Sequence, residues 1–267
     1  MLPFLARRRR QRLRATPVPD AWRHIVERNV PLFRRLPAED QAELLGHVQV
    51  LLAEKHFEGC GGLLLTDEHR VTIAAWASFL LLHRDAGYFP RLRSILVYPT
   101  AYVIEGEHDV GGGIVLEGEE EFSGHTQERL GAVLLNWRDV KADARDPDDG
   151  VNLVLHELAH QLDFEDGDGD GVPALDHRGA AARWQAVLTQ ELERLRADVR
   201  RNRRTVLDPY GAEDPVEFFA VATEAFFETP TLLRDEHPAL YEELRRFYRQ
   251  DPATWARPRD AGWPWDG

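Results

Sequence analysis

His156-Glu157-Leu158-Ala159-His160 leaves this chain little choice locally except a helix with one polar face. At about 100° per residue the two imidazoles fall on the same side of such a helix, roughly one turn apart. Two neutral imidazoles so placed can hold a zinc ion at about 2.0–2.1 Å and leave a position for water. Glu157, next to the first histidine, can reach that water and take its proton. The flanks are apolar, with Val151, Leu153, Val154 and Leu155 before the motif and Leu158, Ala159 and Leu162 within and after it. A mostly buried helix with a single polar stripe is expected, which sets this pattern apart from a helix with two ordinary histidines.

A hydrolytic zinc site takes three protein ligands plus water, so a third ligand must come from another segment. Downstream, Asp214-Pro215 reads as an N-cap followed by proline at the first helical position. Glu217 and Glu224 then lie seven residues apart, about two turns, on one face of a helix otherwise rich in Phe, Val and Ala. Glu217 has a competing use, because three residues after Asp214 it could close a capping box. Glu224 is mid-helix, where that use is weaker, and the residues alone leave the ligand role open between the two. Asp166 follows His160 by six, the metzincin offset for a third ligand, but Asp163 stands where that motif needs glycine. Asp163 reads instead as an acceptor for a ligand imidazole or as a residue ending the helix. Asp166-Gly167-Asp168-Gly169-Asp170-Gly171 imitates the start of a calcium loop, yet its twelfth position is His177 rather than glutamate, so a tight turn is expected.

At 267 residues and 43% hydrophobic, the chain can bury a substantial core. Its single cysteine, Cys60, excludes an intrachain disulfide and suits a reducing compartment. No apolar run reaches the roughly 18–20 residues of a membrane span, and the arginines near the start are not followed by the apolar stretch of a signal peptide. A cytoplasmic protein is expected. The first fourteen residues hold six arginines and no acid; the remainder therefore carries −19, six more negative than the −13 of the whole. An acidic body argues against a nucleic-acid partner, and no membrane partner is expected. The arginine run could touch RNA, an acidic membrane or an acidic protein, but reads as a solvated, disordered tail over residues 1–19.

Along the chain, Pro37–Lys55 reads as an amphipathic helix, and Thr66 or Asp67 could cap a second helix running to about His83. Strand candidates follow at Ile95–Tyr98, Tyr102–Ile104, Ile114–Leu116 and Ala132–Trp137. Asp143–Gly150 reads as an acidic loop, and beyond the motif, helices are expected at Arg178–Arg203, Pro215–Glu228 and Pro238–Arg249. Helices, a small sheet and helices again indicate an α+β fold. The expected organisation is a helical part over 20–93 packed on a catalytic domain at 94–257, with a C-terminal tail at 258–267.

Taken together, several separated segments make the chain resemble the Mlc titration factor A family of bacterial zinc-dependent peptidases, related to the catalytic domain of anthrax lethal factor. They are Leu96-Val97-Tyr98-Pro99, Val133-Leu134-Leu135-Asn136-Trp137, the run from His156 to Asp163, Asp170-Gly171-Val172-Pro173, Tyr210, the run from Asp214 to Val221, Glu224-Ala225-Phe226-Phe227 and the run from Phe247 to Pro252. The resemblance extends from about Leu36 to Trp255. It implies a helical zincin-type metallopeptidase domain with a small mixed sheet and the motif helix at its centre. It implies Zn²⁺ on His156, His160 and Glu217, with Glu157 as base, which breaks the tie in favour of Glu217 and leaves Glu224 a supporting acid. Tyr210, seven residues before Glu217, falls where the lethal factor relatives carry an oxyanion-stabilising tyrosine. The implied activity is peptide hydrolysis, aminopeptidase-like on short peptides. The family's namesake also sequesters a sugar-responsive transcriptional repressor, so a repressor partner is the alternative implication. Gly131-Ala132 departs from a frequent Gly-Pro, the Asp/Gly loop is unusually acidic, and the arginine run has no evident counterpart.

Overall fold

The structure, a computed structural model, describes residues 3–84, 87–100, 108–109, 115–116, 131–175 and 178–255. Four helices, α1 (Pro3–Ala15), α2 (Asp20–Asn29), α3 (Ala38–Glu54) and α4 (Asp67–Phe79), come first, with strand β1 (His56–Gly59) between α3 and α4. Strand β2 (Ser94–Tyr98), the short pair β3 (His108–Asp109) and β4 (Val115–Leu116), and strand β5 (Ala132–Asn136) follow. The remainder is helical: α5 (Trp137–Asp143), α6 (Leu153–Asp163), α7 (Arg178–Arg200), α8 (Pro215–Glu228), α9 (Pro230–Glu236) and α10 (Pro238–Tyr248). The fold is α+β, mostly helical. No helix among the described residues is long and apolar enough to cross a membrane.

The main sheet has the order β1-β2-β5, and both pairings are parallel; β3 and β4 pair antiparallel by themselves. The expected mixed sheet is thus a parallel one with a separate two-stranded ribbon. Central β2 is buried on both faces, which suits the unbroken apolar run Ile95-Leu96-Val97. Side-chain alternation sends Ile95, Val97, Val133 and Leu135 into the main core, while Leu96 and Leu134 pack with Cys60 and Tyr98 on the other face. Because β1 precedes residue 93 and pairs with β2 beyond it, the two expected parts share one sheet and one core.

Several expectations are met closely. α3 forms where amphipathic spacing places it, and α4 starts at the Thr66 cap, which closes a capping box with His69, but α4 ends at Phe79 and a turn takes up the expected stretch to His83. Others change. Residues 3–15 are not a disordered tail but helix α1, which Arg10 ties to Glu54 (2.8 Å) and Arg14 to Glu43 (3.0 Å), both on α3. Trp137 does not end the β5 strand; it opens α5, because the Asn136 side chain caps the helix by accepting from the Asp139 amide. Of the other strand candidates, Tyr102–Ile104 and Ile114 lie outside the described residues, as does the 258–267 tail.

Helix α8 is buried from Val216 to Glu228, so it is apolar nearly all round and forms the central rod of the molecule. Its Phe226 packs on Phe227, Tyr241 and Tyr248 at ring-centroid distances of 5.1, 5.2 and 5.5 Å. Truncation there leaves a cavity enclosed by rigid aromatic rings. Phe226→Ala is expected to lower stability by about 3–5 kcal/mol, read as a shift of the urea midpoint with little change in slope.

Candidate metal centre

Helix α6 carries the histidine motif and begins at an elaborate cap. Asn152 is the N-cap, its side chain accepting from the Leu155 amide (3.1 Å). The Leu153 amide donates to Asp143 Oδ2 (2.9 Å), the Asn152 amide to Glu224 Oε2, and Asn152 Nδ2 to Glu228 Oε1 (2.9 Å). Three carboxyl groups thus surround the positive end of the helix dipole; Asp143 and Glu224 accept from backbone amides there, and Glu228 holds the side chain of the cap. Val154, Leu155, Leu158, Ala159 and Leu162 are buried, which turns His156 and His160 to the remaining face, their rings edge to face at 4.8 Å.

Helix α8 supplies the opposing side. Asp214 caps it by accepting from the amides of Val216 (2.8 Å) and Glu217 (2.9 Å), and Pro215 holds the first position. The Glu217 carboxylate lies against both histidines, Oε2 being 3.0 Å from His156 Nε2 and 3.5 Å from His160 Nε2. Glu224, two turns on, places Oε1 2.8 Å from the other ring nitrogen of His156, Nδ1. The two acids that the sequence left equivalent therefore sit on opposite edges of one imidazole. Donor atoms of His156, His160 and Glu217 all lie within 4.8 Å of one another. Two imidazoles and a carboxylate, each offering one atom from rigid helices, suit a borderline ion such as zinc.

Electrostatics follow from this packing. Burial opposes charge on His156, but its contacts with Glu217 and Glu224 outweigh that and raise its pKa well above the ordinary value. Burial would raise Glu217, yet contact with His156 and His160 holds it far below the usual carboxylate range. Glu157 is pushed up by burial, with the two histidines pulling the other way. Tyr210, in the short 3₁₀ turn Pro209–Ala212, is half exposed, its ring 6.0 Å from that of His156. Burial, then the charge of Glu217, pushes its hydroxyl up to about 12.

The competing acids are placed elsewhere. Asp163 is fully buried and accepts from the Gly171 amide (3.0 Å), clamping the Asp/Gly loop to the end of α6. Gly171 has φ +78°, and a Cβ there would meet the Pro215 carbonyl oxygen at 2.3 Å, so the loop abuts the start of α8. Asp166 is exposed and accepts from the Asp168 amide (3.1 Å); it is absent from the histidine group. Asp40, Glu43 and His83 make a further acid–histidine group, but Glu43 there is shared with Arg14 and His47. Sequence reasoning passed over Asn152, Asp143 and Glu228. An Asn just before an apolar helical run is a legible cap signal; Asp143 and Glu228 have none, because only the fold brings them to Asn152.

The profile of the glucose-regulated metallo-peptidase M90 family matches residues 4–249 of this chain. The chain belongs to this family. The match takes in the arginine-rich α1, which therefore has a family counterpart. Among similar proteins, one from Synechocystis sp., uncharacterized by name, is 38% identical over 244 residues, covering 91% of this chain and 89% of its own. Mlc titration factor A of Serratia proteamaculans is 35% identical over 226 residues, 84% of this chain and 85% of that one. Its namesake in Yersinia enterocolitica is 33% identical over 234 residues, 86% and 85% of the two chains. As an M90 member, the chain is a metallopeptidase by family.

The carboxyl cluster under α6 has a measurable consequence. Burial pushes Asp143 from an ordinary 3.8 up to about 7, against the pull of the Leu153 amide. The folded protein then holds a proton that the unfolded chain releases between those values, so this contribution is complete below pH 3.8 and lost as pH rises through about 7. Asp143→Asn keeps an acceptor for Leu153 and removes the titration. Thermal melts across roughly pH 5 to 8 should show a smaller loss of Tm with rising pH in the variant; an unchanged slope would place that titration elsewhere.

Proposed function

We propose that this chain is a zinc-dependent peptidase of zincin type that hydrolyses short peptides in an aminopeptidase-like manner. The convergence of His156, His160 and Glu217 beside Glu157 carries this reading, and membership of a metallo-peptidase family supports it. His156, His160 and Glu217 would hold the ion, which when bound supplies Lewis acidity to a water and to the scissile carbonyl. Glu157 takes the proton of the attacking water and passes it to the leaving amine; a carboxylate raised by burial suits both steps. Tyr210, which keeps its proton far above neutrality, donates its hydroxyl to the developing oxyanion. Glu224 positions His156 by occupying Nδ1, so that Nε2 faces the Glu217 side. Strand β5 pairs with β2 alone among the described residues, and its other edge could take up substrate backbone.

A second reading rests on the name that the relatives carry, Mlc titration factor A. On this reading the chain binds a transcriptional repressor of sugar uptake, with the metal site tuning the binding surface. The intact pairing of a base with a tyrosine favours catalysis, since a purely structural zinc site uses neither. A pull-down with the host's repressor separates the two, and a catalytically dead variant that still captures it shows that both coexist.

Glu157→Gln should retain one zinc per chain by native mass spectrometry while peptide turnover falls about 10²–10⁴-fold. Hydrolysis at the wild-type rate would remove Glu157 from the mechanism. Tyr210→Phe should lower kcat about 10²-fold or more with zinc content unchanged, and an unaltered kcat would remove the oxyanion role.

A further inference from the structure

Helix α1 is the prominent feature that hydrolysis leaves unused. Its inner side is fixed. Arg10 engages Glu54 at 2.8 Å and lies over the Tyr88 ring at 4.7 Å, Arg14 reaches Glu43 at 3.0 Å, and Gln49 donates to the Thr16 carbonyl (2.9 Å) where the chain leaves the helix. Gly46 lets the two helices approach, since a Cβ there would stand 3.3 Å from Arg14. With that side anchored, Phe4, Arg8 and Arg12 recur at four-residue spacing on the outer side, and all three are exposed. Phe4 is 62% exposed and Leu5 50%. Of the five exposed large hydrophobic side chains among the described residues, these two are adjacent in the first turn of one helix. Arg8 stacks over Phe4 at 4.6 Å. A groove of about 380 Å³ runs beside them, lined by Leu5, Arg8, Arg9, Arg12, Leu13 and Thr16.

We propose that the outer face of α1 docks this protein on an anionic phospholipid surface, with the arginines on the lipid phosphates and Phe4 and Leu5 in the headgroup–acyl boundary. Apolar and cationic side chains side by side on an exposed helix face are what such a surface recognises. Arginine is suited to it because its planar guanidinium binds phosphate by two parallel hydrogen bonds. The acidic body does not forbid approach. Helix α1 is about 20 Å long, and at physiological salt charges are screened beyond about 8 Å, so the bilayer would meet chiefly the local field of the arginines. Nucleic acid fits less well, because a short helix offers it one aliphatic and one aromatic tip, and the rest of the chain carries strong negative charge. The sequence pointed to no membrane partner because it read this segment as a solvated tail. Held as a helix against α3, the same residues form a fixed cationic–apolar face.

The test is co-sedimentation of the full chain with vesicles of phosphatidylcholine alone and of equimolar phosphatidylcholine and phosphatidylglycerol. Binding is expected to the anionic vesicles only, and to weaken at high salt. Neutralising one arginine should weaken binding roughly fivefold, so Arg8→Ala with Arg12→Ala should cost about 25-fold. Arg8→Lys with Arg12→Lys should retain most of the binding, and Phe4→Ser should weaken it at unchanged charge. Circular dichroism and peptide turnover should be the same in all variants, since none touches the metal centre. Absence of binding to anionic vesicles, or equal binding by the double-alanine variant, overturns the proposal. Retention on single-stranded RNA without vesicle binding assigns the face to nucleic acid and overturns it as well.

Discussion

His156 is held on both edges by carboxylates from one helix, Glu217 at Nε2 and Glu224 at Nδ1. Neither contact survives a slip of α8 past α6, because moving one residue along a helix turns a side chain by about 100°. The register of the two helices is therefore fixed by the site as much as the site is fixed by the register. What enforces it mechanically is the apolar remainder of α8, where Phe218, Phe219, Phe226 and Phe227 are almost completely buried. At one end the Asp163–Gly171 clamp brings the Asp/Gly loop flush against Pro215, so the start of α8 and the end of α6 are linked as well.

Carboxyl groups are concentrated under the motif helix. Asp143, Glu224 and Glu228 converge on the first turn of α6, and burial raises the pKa of all three. Some of that cost is offset by hydrogen bonds from Asn152 and Leu153 and by the positive end of the helix dipole. A cation held by His156, His160 and Glu217 would offset more. The acids thus favour a positive ion nearby without contributing a ligand to it, which is how a supporting shell can raise metal affinity.

The fold was partly legible in the sequence. α3, α4, β2 and α8 lie where apolar spacing and capping residues place them, because those signals are local and strong. α1 was not, since a run of arginines carries no apolar period; its order comes from Glu43 and Glu54, which are far away in sequence. α5 was hidden for a related reason: its cap, Asn136, is also the last residue of a strand, and apolar pattern alone carries the strand one residue too far.

At the site, the sequence by itself determined the helix, the two histidines on one face, the neighbouring base, and a second helix with two acids two turns apart. Those follow from a fixed angle per residue and need no knowledge of the fold. Only the tertiary structure decided which acid meets which nitrogen, that Asp163 closes a loop while Asp166 faces solvent, and that Asp143 and Glu228 join Asn152 beneath α6. Spacing along one helix sets which side chains share a face, but the distance between faces of two helices is set by how their cores pack, and that information is spread over the whole chain.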